Sequence, residues 1–332
     1  MKRFIKKLSL FILPFIIIII VIQFFDFFKI YADYPDYFKN NRISKNRTVI
    51  ATKTFFKYKD SIPYNTFTFG NSRAQAYKNS SLIKHFGKKT KPFHFDSDGE
   101  SLYGIYKKIE FLSLNKANLT NVIIILDAST LSVTKQRNAY NYINPPEFKD
   151  VSQFKFYSTF IQASSNIKLI TALADYNIFK TKRDYINKCI LTVKYFDHYD
   201  PFTLDCSYNN EIALKKDSIL YYKKDFSKRK SYIKPYIEPT KKHTDLFQKI
   251  NRILKTNKSN YTIIVSPLYN QNPINKEYLT LLNDIFGFEN VFDFSGKNQF
   301  TEHVGHYYEW SHYKPFLAEQ LLDSIYKKRA SY

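Results

Sequence analysis

The sequence predicts an α/β protein with a three-layer sandwich around a mostly parallel sheet, preceded by one N-terminal transmembrane helix. Continuous apolar runs of strand length alternate with segments of helical spacing, which is typical of a parallel sheet with helices on both faces. An eighteen-residue stretch near the N-terminus has no ionised side chain and predicts the transmembrane helix. With 332 residues, 44% of them hydrophobic, the chain can bury a large core.

The N-terminal segment combines a basic start with an apolar run. The first residues, MKRFIKK, carry four positive charges, and the run from Leu8 to Phe25 follows them. A helix of that length spans about 27 Å, close to the thickness of one hydrocarbon core. A cleaved signal peptide is the competing interpretation, but its apolar stretch is normally shorter. The basic flank favours the cytoplasm, so we expect a cytoplasmic tail and membrane anchor over residues 1–29 and an extracytoplasmic domain beyond them.

Five strands are expected in the main domain, which we assign to residues 61–328, after a connector at 30–60. Two of the runs, NVIIILD and YTIIVSP, are apolar throughout, as in strands that are buried on both faces. The segment between these two is too long for a simple crossover, so an insertion is expected at about 128–258. The predicted strands lie at 64–69, 91–96, 121–127, 261–267 and 290–295, and the predicted helices at Ala74–His85, Leu102–Leu114, Lys276–Phe286 and Phe316–Tyr326.

The net charge bears on the classes of partner that the protein can bind, and the two cysteines bear on its redox compartment. A formal net charge of +22 favours an anionic neighbour. The lysines are spread along the chain, however, and no nucleic-acid-binding motif accompanies them, so nucleic acid is not an expected partner. The two cysteines, Cys189 and Cys206, fit either a disulfide bond in an oxidising compartment or two unpaired thiols.

The end of the first strand carries candidate chemistry. Its aromatic run stops at Gly70, and Asn71, Ser72 and Arg73 follow. A serine in this position is ordinarily a helix cap. In an open parallel sheet, however, ligands bind beyond the carboxyl ends of the strands. Ser72 is therefore also a candidate nucleophile on a tight strand-to-helix turn.

A carboxylate and a histidine near the C-terminus supply the partners that a nucleophilic serine needs. Glu309 precedes His312 by three residues, so its carboxylate can fold back and accept a hydrogen bond from the ring Nδ1. The other ring nitrogen is then free to take a proton from a serine hydroxyl. Since the first and last strands can end at the same rim of such a sheet, we predict a catalytic triad of Ser72, His312 and Glu309.

Three of these features together resemble the SGNH/GDSL hydrolase superfamily: GNSR after the first strand, a glycine after the second, and E-x-x-H before the final helix. More narrowly, they resemble its membrane-anchored members encoded with bacterial cell-surface polysaccharide genes. The resemblance covers about 61–127 and 258–328. It implies a flavodoxin-like sheet, Ser72 as nucleophile, and an oxyanion hole made by the backbone N–H groups of Ser72 and Gly99. Two positions depart from the family: the acid is Glu rather than Asp, and the third block reads LDAST without the usual Asn.

The resemblance implies acyl-transfer chemistry without a cofactor. The expected function is that of a membrane-anchored serine esterase or O-acyltransferase acting on a cell-surface glycan, with an acyl donor or a membrane acyl-transfer protein as a further partner. The alternative is a non-catalytic polysaccharide-binding or assembly factor with a degenerate site. Arg73 either binds an anionic group of the glycan or pairs with Asp96 or Asp98, and we favour the pairing. The candidate substrate-binding residues are Arg73, Ser129, Tyr269 and Asn270.

Two other chemistries compete with the triad. Four side chains spaced by threes near the C-terminus suit zinc, but a glycine interrupts the run and no H-E-x-x-H motif is present, so no metal is expected. Asp96 and Asp98 could indicate a glycosidase, but two carboxylates this close in a loop are more typical of a turn. The four side chains weighed as zinc ligands are those of His303, His306, Glu309 and His312.

Overall fold

The structure, a computed structural model, describes residues 1–38, 43–181, 183–187, 196–208 and 238–329. The chain divides into two compact units. The first combines Met1–Ile50 with Arg137–Tyr195, and the second combines Ala51–Gln136 with Phe196–Tyr332. The second unit holds the large sheet and all the residues predicted for the catalytic site.

The elements are numbered in chain order over the described residues. The helices are α1 (Lys2–Phe25), α2 (Arg47–Tyr58), α3 (Asn79–Phe86), α4 (Leu102–Leu114), α5 (Ala128–Leu131), α6 (Gln153–Ser164), α7 (Ile167–Phe179), α8 (Asp184–Asn187), α9 (Lys241–Thr256), α10 (Lys276–Phe286), α11 (Gln299–Glu302) and α12 (Pro315–Arg329). The strands are β1 (Thr66–Phe69), β2 (Pro92–His94), β3 (Asn121–Leu126), β4 (Phe196–Tyr199), β5 (Cys206–Tyr208), β6 (Asn260–Val265) and β7 (Val291–Asp293).

The second unit is built on a five-stranded sheet with the order β2-β1-β3-β6-β7, in which all neighbouring strands are parallel. The predicted α/β class and parallel sheet are confirmed, and the helices between successive strands are consistent with a three-layer sandwich. This is the strand order of flavodoxin-like sheets. The winding direction reverses between β1 and β3, so the carboxyl ends of these two strands flank the crevice where such folds bind ligands.

Both faces of the sheet are covered, because every residue of β1 and β3 is buried. On one face, Ile123 and Ile125 belong to a core cluster that includes the apolar side of α12. On the other face, the ring of Phe55 in α2 packs edge-on against the rings of Phe67 and Phe93. Strands covered on both sides explain why the sequence shows unbroken apolar runs rather than alternation.

One predicted helix, Ala74–His85, is divided in the structure. A short 3₁₀ turn occupies Ser72–Ala76, and α3 begins only at Asn79. Of the two residues between them, Tyr77 is fully buried, and its hydroxyl lies 3.4 Å from that of Tyr313. The apolar period continues through this break, which is why helical spacing alone predicted a single helix.

The first unit has a core of its own, to which the segment after α1 contributes. The Asp26 carboxylate accepts hydrogen bonds from the backbone N–H groups of Ile30 and Tyr31, at 2.8 and 3.0 Å, and so fixes the turn that follows α1. The predicted connector at 30–60 contains buried residues and helix α2. The core includes Phe28, Ile30, Ile43, Val49, Ile143, Phe156, Phe160, Leu169 and Leu173.

Two sequence predictions concern the membrane and the cysteines. The predicted anchor, Leu8 to Phe25, lies within α1. Among the residues that the structure describes, no helix has both the length and the apolar character needed to cross a membrane. Cys189 lies outside the described residues, so its pairing with Cys206 stays a prediction.

Candidate active site

The carboxyl end of β1 is shaped by a glycine that cannot be replaced without a clash. Gly70 has a φ of +147°, and a Cβ atom built on it would lie 2.8 Å from the Cβ of Ile125 and 2.9 Å from the carbonyl oxygen of that residue. The backbone at Gly70 therefore passes close to Ile125 of β3 before it turns. Asn71 caps the turn, since its Oδ1 accepts a hydrogen bond from the Arg73 N–H at 3.0 Å. Ser72 is thus the first residue of a tight turn at the rim of the sheet.

The second part of the site is a loop that a short antiparallel bridge closes. Tyr307 pairs with Tyr313, and both side chains are buried. Across the loop, the Tyr308 N–H donates to the carbonyl oxygen of His312 at 2.9 Å. The loop is therefore held at its base by buried tyrosines, while Glu309 and the ring of His312 lie on its partly exposed tip.

The structure brings the three predicted residues together, although 240 positions of sequence separate the serine from the histidine. The Oγ of Ser72 lies 2.7 Å from the Nε2 of His312. The other ring nitrogen, Nδ1, is hydrogen-bonded to Oε1 of Glu309. The second carboxylate oxygen of Glu309 accepts the Ser311 N–H at 2.9 Å, which fixes the carboxylate. With its hydrogen on Nδ1, the ring can accept a proton from the serine hydroxyl at Nε2.

The environment of Glu309 favours the ionised form that this arrangement needs. Burial acts to raise the pKa of Glu309, but the hydrogen bond and charge of His312, the Ser311 N–H and the charge of Arg73 together hold it below its usual value. The carboxylate is therefore ionised at neutral pH. It can orient the imidazole and stabilise the imidazolium ion that forms when the ring takes a proton.

Arg73 is paired, but with a different carboxylate from those predicted. Its NH1 donates to the Asp127 carboxylate at 2.7 Å, and its NH2 lies 3.4 Å from the Ser311 Oγ. The prediction of a pair with Asp96 or Asp98 is wrong, because both of these accept from the Gln75 side-chain amide at 2.7 and 3.3 Å. Arg73 thus links the end of β3 to the loop that carries the histidine.

Asp127 is the centre of a buried network at the carboxyl end of β3. Its carboxylate accepts from the Asn71 amide at 2.5 Å and from the Ser129 hydroxyl at 2.6 Å, in addition to Arg73. Burial opposes ionisation of this group, but the Arg73 charge and the hydrogen bonds from Ser129, Thr130 and Asn71 lower its pKa below the usual value. The network ties the turn at Ser72 to β3, and Arg73 extends it to the histidine loop.

The two predicted oxyanion donors, the backbone N–H groups of Ser72 and Gly99, lie in different surroundings. The backbone N–H of Ser72 donates to no other group in the described part of the chain, so it is available at the start of its turn. Gly99 is the exposed residue of the loop after β2 and has a φ of +58°, and its role stays a prediction. That loop is braced at its base: the Ser97 N–H donates to the Gly70 carbonyl at 3.1 Å, and the fully buried Lys108 donates to the Ser97 Oγ at 3.2 Å.

The other candidate substrate-binding residues are occupied by structural contacts. The hydroxyl of Ser129, an exposed residue, donates to Asp127 and accepts from the Asn71 amide, and so belongs to the network around Asp127. Tyr269 is buried, with its ring edge-on to that of Tyr307 at 5.4 Å. The side-chain carbonyl of Asn270, an exposed residue, accepts the Asn272 N–H at 3.2 Å within a turn.

The histidines weighed as zinc ligands are used in other ways. His306 donates from Nδ1 to the carbonyl oxygen of Phe300 at 2.8 Å, and its ring lies 5.2 Å from that of His303. His312 faces Ser72 and Glu309 instead. Within the described ranges, no group of three or more potential metal-ligating side chains is close enough to hold an ion.

Three residues of the site were not among the predicted ones: Asn71, Asp127 and Trp310. Asp127 follows a fully buried strand directly, and that position is a signal for a residue at the ligand-binding rim. Asn71 directly precedes Ser72 and caps the turn that begins there. Trp310 is the single tryptophan of the chain and stands inside the E-x-x-H motif with 69% of its surface exposed. An exposed aromatic residue at that place is a signal for ligand contact.

The identification of the site depends on geometry within this chain. Ser72, His312 and Glu309 make the contacts expected of a hydroxyl, a base and an orienting carboxylate. Their positions at the switch point of a parallel sheet agree with where this fold class binds ligands. No protein-family model matches the chain, and no curated protein matches it.

Proposed function

We propose that the protein is a serine esterase or O-acyltransferase that uses Ser72, His312 and Glu309. The observation that carries the proposal is the 2.7 Å contact between Ser72 Oγ and His312 Nε2, with Glu309 on the opposite ring nitrogen. A serine that only caps a turn has no need of this pair. The resemblance to SGNH/GDSL hydrolases agrees in the order of the three residues and in the identity of the serine and the histidine, with Glu309 in place of the usual Asp.

The first half of the reaction forms an ester on the serine. His312 Nε2 takes the hydroxyl proton as Ser72 Oγ attacks the carbonyl carbon of an ester. The negative charge that develops on the carbonyl oxygen is stabilised by the free N–H of Ser72 and, by resemblance, the N–H of Gly99. When the tetrahedral intermediate collapses, the ester C–O bond breaks and the imidazolium returns its proton to the leaving alcohol. Glu309 stabilises the imidazolium throughout.

The second half transfers the acyl group. An acceptor hydroxyl gives its proton to His312 Nε2 and attacks the acyl-serine carbonyl, and the proton then returns to Ser72 Oγ. If the acceptor is water, the protein is an esterase. If it is a sugar hydroxyl, the protein is an O-acyltransferase. The half-exposed position of Ser72 and His312 lets either acceptor approach.

The proposed substrate is a cell-surface glycan. The exposed Trp310, which directly follows Glu309 in the sequence, offers a ring on which a sugar can stack. The resemblance to members that modify surface polysaccharides agrees with such a substrate and with a membrane acyl-transfer protein as donor. The proposal includes an anchor, which is supported by the eighteen residues without an ionised side chain after a basic start, and an extracytoplasmic site.

The test is ester turnover by the purified full-length chain with a simple aryl acetate. We expect a burst of released phenol followed by slower turnover, and an acetyl group on Ser72 in mass spectra of the quenched protein. The Ser311→Ala variant is a matched control, because it removes a hydroxyl from the same site but not the nucleophile. A chain with neither turnover nor an acetylated serine would contradict the enzyme proposal and leave the non-catalytic glycan-binding alternative.

Replacing Glu309 by glutamine should lower kcat on the aryl acetate while leaving KM nearly unchanged. A neutral amide cannot stabilise the imidazolium ion, and it can present an N–H to the ring Nδ1 and favour the wrong tautomer, so a loss of about 10²–10⁴-fold is expected. Steady-state kinetics measure both constants. The Glu302→Gln change, at an exposed carboxylate outside the triad, should leave both constants unaltered. Equal values of kcat for the Glu309→Gln variant and the wild type would show that Glu309 has no role in the mechanism.

Replacing Trp310 by alanine should weaken the binding of a glycan acceptor but leave the turnover of a small ester nearly unchanged. A stacked sugar ring contributes to binding, so KM or Kd for a glycan acceptor is expected to rise by about tenfold, while turnover of the aryl acetate stays within about twofold. The Trp310→Phe variant, which keeps an aromatic face, should recover most of the affinity. An equal loss on both substrates would show that Trp310 acts on the triad rather than on the sugar.

A further inference from the structure

The first unit carries an unpartnered apolar surface on two consecutive helices. In α6 and in α7, exposed or half-buried apolar side chains recur at helical spacing on the side away from the core. Phe154 is 83% exposed, Ile167 68% and Ile178 70%. We call this surface the α6–α7 stripe and define it by Phe154, Tyr157 and Ile161 of α6 and by Ile167, Ile170 and Ile178 of α7.

The opposite faces of both helices are buried in one core. Phe156 and Phe160 of α6 and Leu169 and Leu173 of α7 belong to the same cluster. Because both helices turn these faces inward, the α6–α7 stripe points away from the unit on both. Large apolar side chains of this exposure are normal when they are scattered, but their recurrence on one side of each of two consecutive helices marks a surface that meets another apolar phase.

The stripe is continuous with the end of α1. Helix α1 contacts α6 directly. Asp26 follows the last residue of α1 and accepts the Tyr31 N–H at 3.0 Å, and the ring of Tyr31 stacks on that of Tyr157 with 5.8 Å between the ring centroids. Tyr157 is itself part of the stripe. The apolar surface therefore begins where the proposed anchor ends, and a bilayer that holds α1 lies beside α6.

Basic side chains flank the stripe. The exposed cations on these two helices and the turn after them outnumber the exposed acids, of which Asp184 is one. Asp175 is taken up by an ion pair with Arg183 at 3.3 Å. An apolar row with aromatic members and a basic border is the pattern of helices that lie in the interface of an anionic bilayer. Apart from the paired Arg183, the exposed cations are Lys155, Lys168 and Lys180.

We propose that the α6–α7 stripe lies in the headgroup region of the same anionic phospholipid leaflet from which α1 emerges. This surface and α1 would then hold the first unit against the membrane at two places, with the stripe about 5–10 Å deep at the boundary of headgroups and acyl chains. The inference shares the proposed anchor but does not depend on the acyl-transfer activity.

The experiment uses the full chain with Trp310→Phe as a background free of tryptophan. Phe154→Trp and Ile167→Trp are introduced singly, and the proteins are reconstituted in vesicles of phosphatidylcholine and phosphatidylglycerol that contain phospholipids brominated at known depths. We expect a blue-shifted emission and quenching of about half or more by bromines near the headgroup boundary. The matched control is Gln162→Trp, an exposed position on α6 that lies off the stripe. It should be quenched far less.

The possible outcomes of this experiment distinguish the membrane position of the α6–α7 stripe from the presence of the anchor. Quenching of the two stripe positions no stronger than that of Gln162→Trp, in protein that floats with the vesicles, would overturn the inference and leave the anchor intact. Unquenched stripe tryptophans together with energy transfer between differently labelled chains would assign the stripe to a second copy, which also overturns it. A chain that does not float with vesicles would contradict both the stripe and the anchor, while aryl acetate turnover would still report on the triad independently.

Discussion

Replacing Ser72 by alanine is expected to lower kcat on an aryl acetate by about 10³–10⁶-fold, the largest effect on activity that any single change should have. The hydroxyl at 2.7 Å from His312 Nε2 is the only group whose loss removes the covalent step itself. What remains should be the slow reaction supported by the oxyanion donors and by binding alone. The measurement is steady-state turnover together with a search for the acetylated protein by mass spectrometry.

The control for this result lies in the same site. Ser311 is close to Arg73 and donates its N–H to Glu309, yet its hydroxyl makes no contact with the His312 ring among the described atoms. Ser311→Ala should therefore keep kcat within about tenfold of the wild type, since only the 3.4 Å contact with Arg73 is lost. If Ser72→Ala and Ser311→Ala lose activity equally, the assignment of the nucleophile is mistaken.

Replacing Asp127 by alanine is expected to have the largest effect on stability. The side chain of Asp127 is 2% exposed, and its removal leaves the Arg73 guanidinium, whose side chain is 12% exposed, without its counter-ion. It also leaves the Ser129 hydroxyl without its acceptor and removes one acceptor of the Asn71 amide, which keeps Ser129 Oγ and Thr130 Oγ1. Breaking a buried pair from one side costs about 3–5 kcal/mol in the free energy of unfolding. Urea denaturation measures this loss, and Asp127→Asn provides a milder variant that keeps a hydrogen-bond acceptor.

The comparison variant for stability is Lys84→Ala. Lys84 pairs with Glu319 and Asp323 on the open surface, where water screens the charges. Its loss should change the urea midpoint only slightly. A midpoint for Asp127→Ala as high as that for Lys84→Ala would show that the buried network does not hold the turn.

The same pair makes stability depend on pH in a definite direction. The pKa of Asp127 is lower in the folded protein than the value of about 3.9 that is usual for the unfolded chain. Its contribution is therefore complete above about pH 4 and is lost as the pH falls through the lower folded value. The difference in unfolding free energy between wild type and Asp127→Asn should be constant from about pH 5 to 8 and shrink in acid. A difference that grows in acid would contradict the ion pair.

The triad could be predicted because each part has a local signature. Gly70 ends a strand, Ser72 stands at a turn, and Glu309 precedes His312 at a spacing that lets the two groups meet. The parallel sheet followed from apolar runs alternating with helical segments, and the rim of such a sheet is where strand ends converge. These inferences need only the type of each element and the class of sheet.

The partner of Arg73 could not be predicted in this way. Because β1 lies between β2 and β3, the turn after β1 has carboxylates on both sides, from Asp96 and from Asp127. Gln75 faces the first and Arg73 the second, and this choice depends on how the turn after Ser72 is wound. The break at Tyr77 escaped prediction for a similar reason, since a buried aromatic contact with Tyr313 overrides a continuous helical period.

The most direct test of the account is the rate at which a fluorophosphonate modifies Ser72 in the full-length wild type and in His312→Gln. The probe reports whether the hydroxyl is activated by the imidazole, without any assumption about the natural substrate. We expect modification of the wild type at Ser72 alone and a rate at least about 100-fold lower in His312→Gln. Equal rates in the two proteins, or modification at another serine, would contradict the proposed triad.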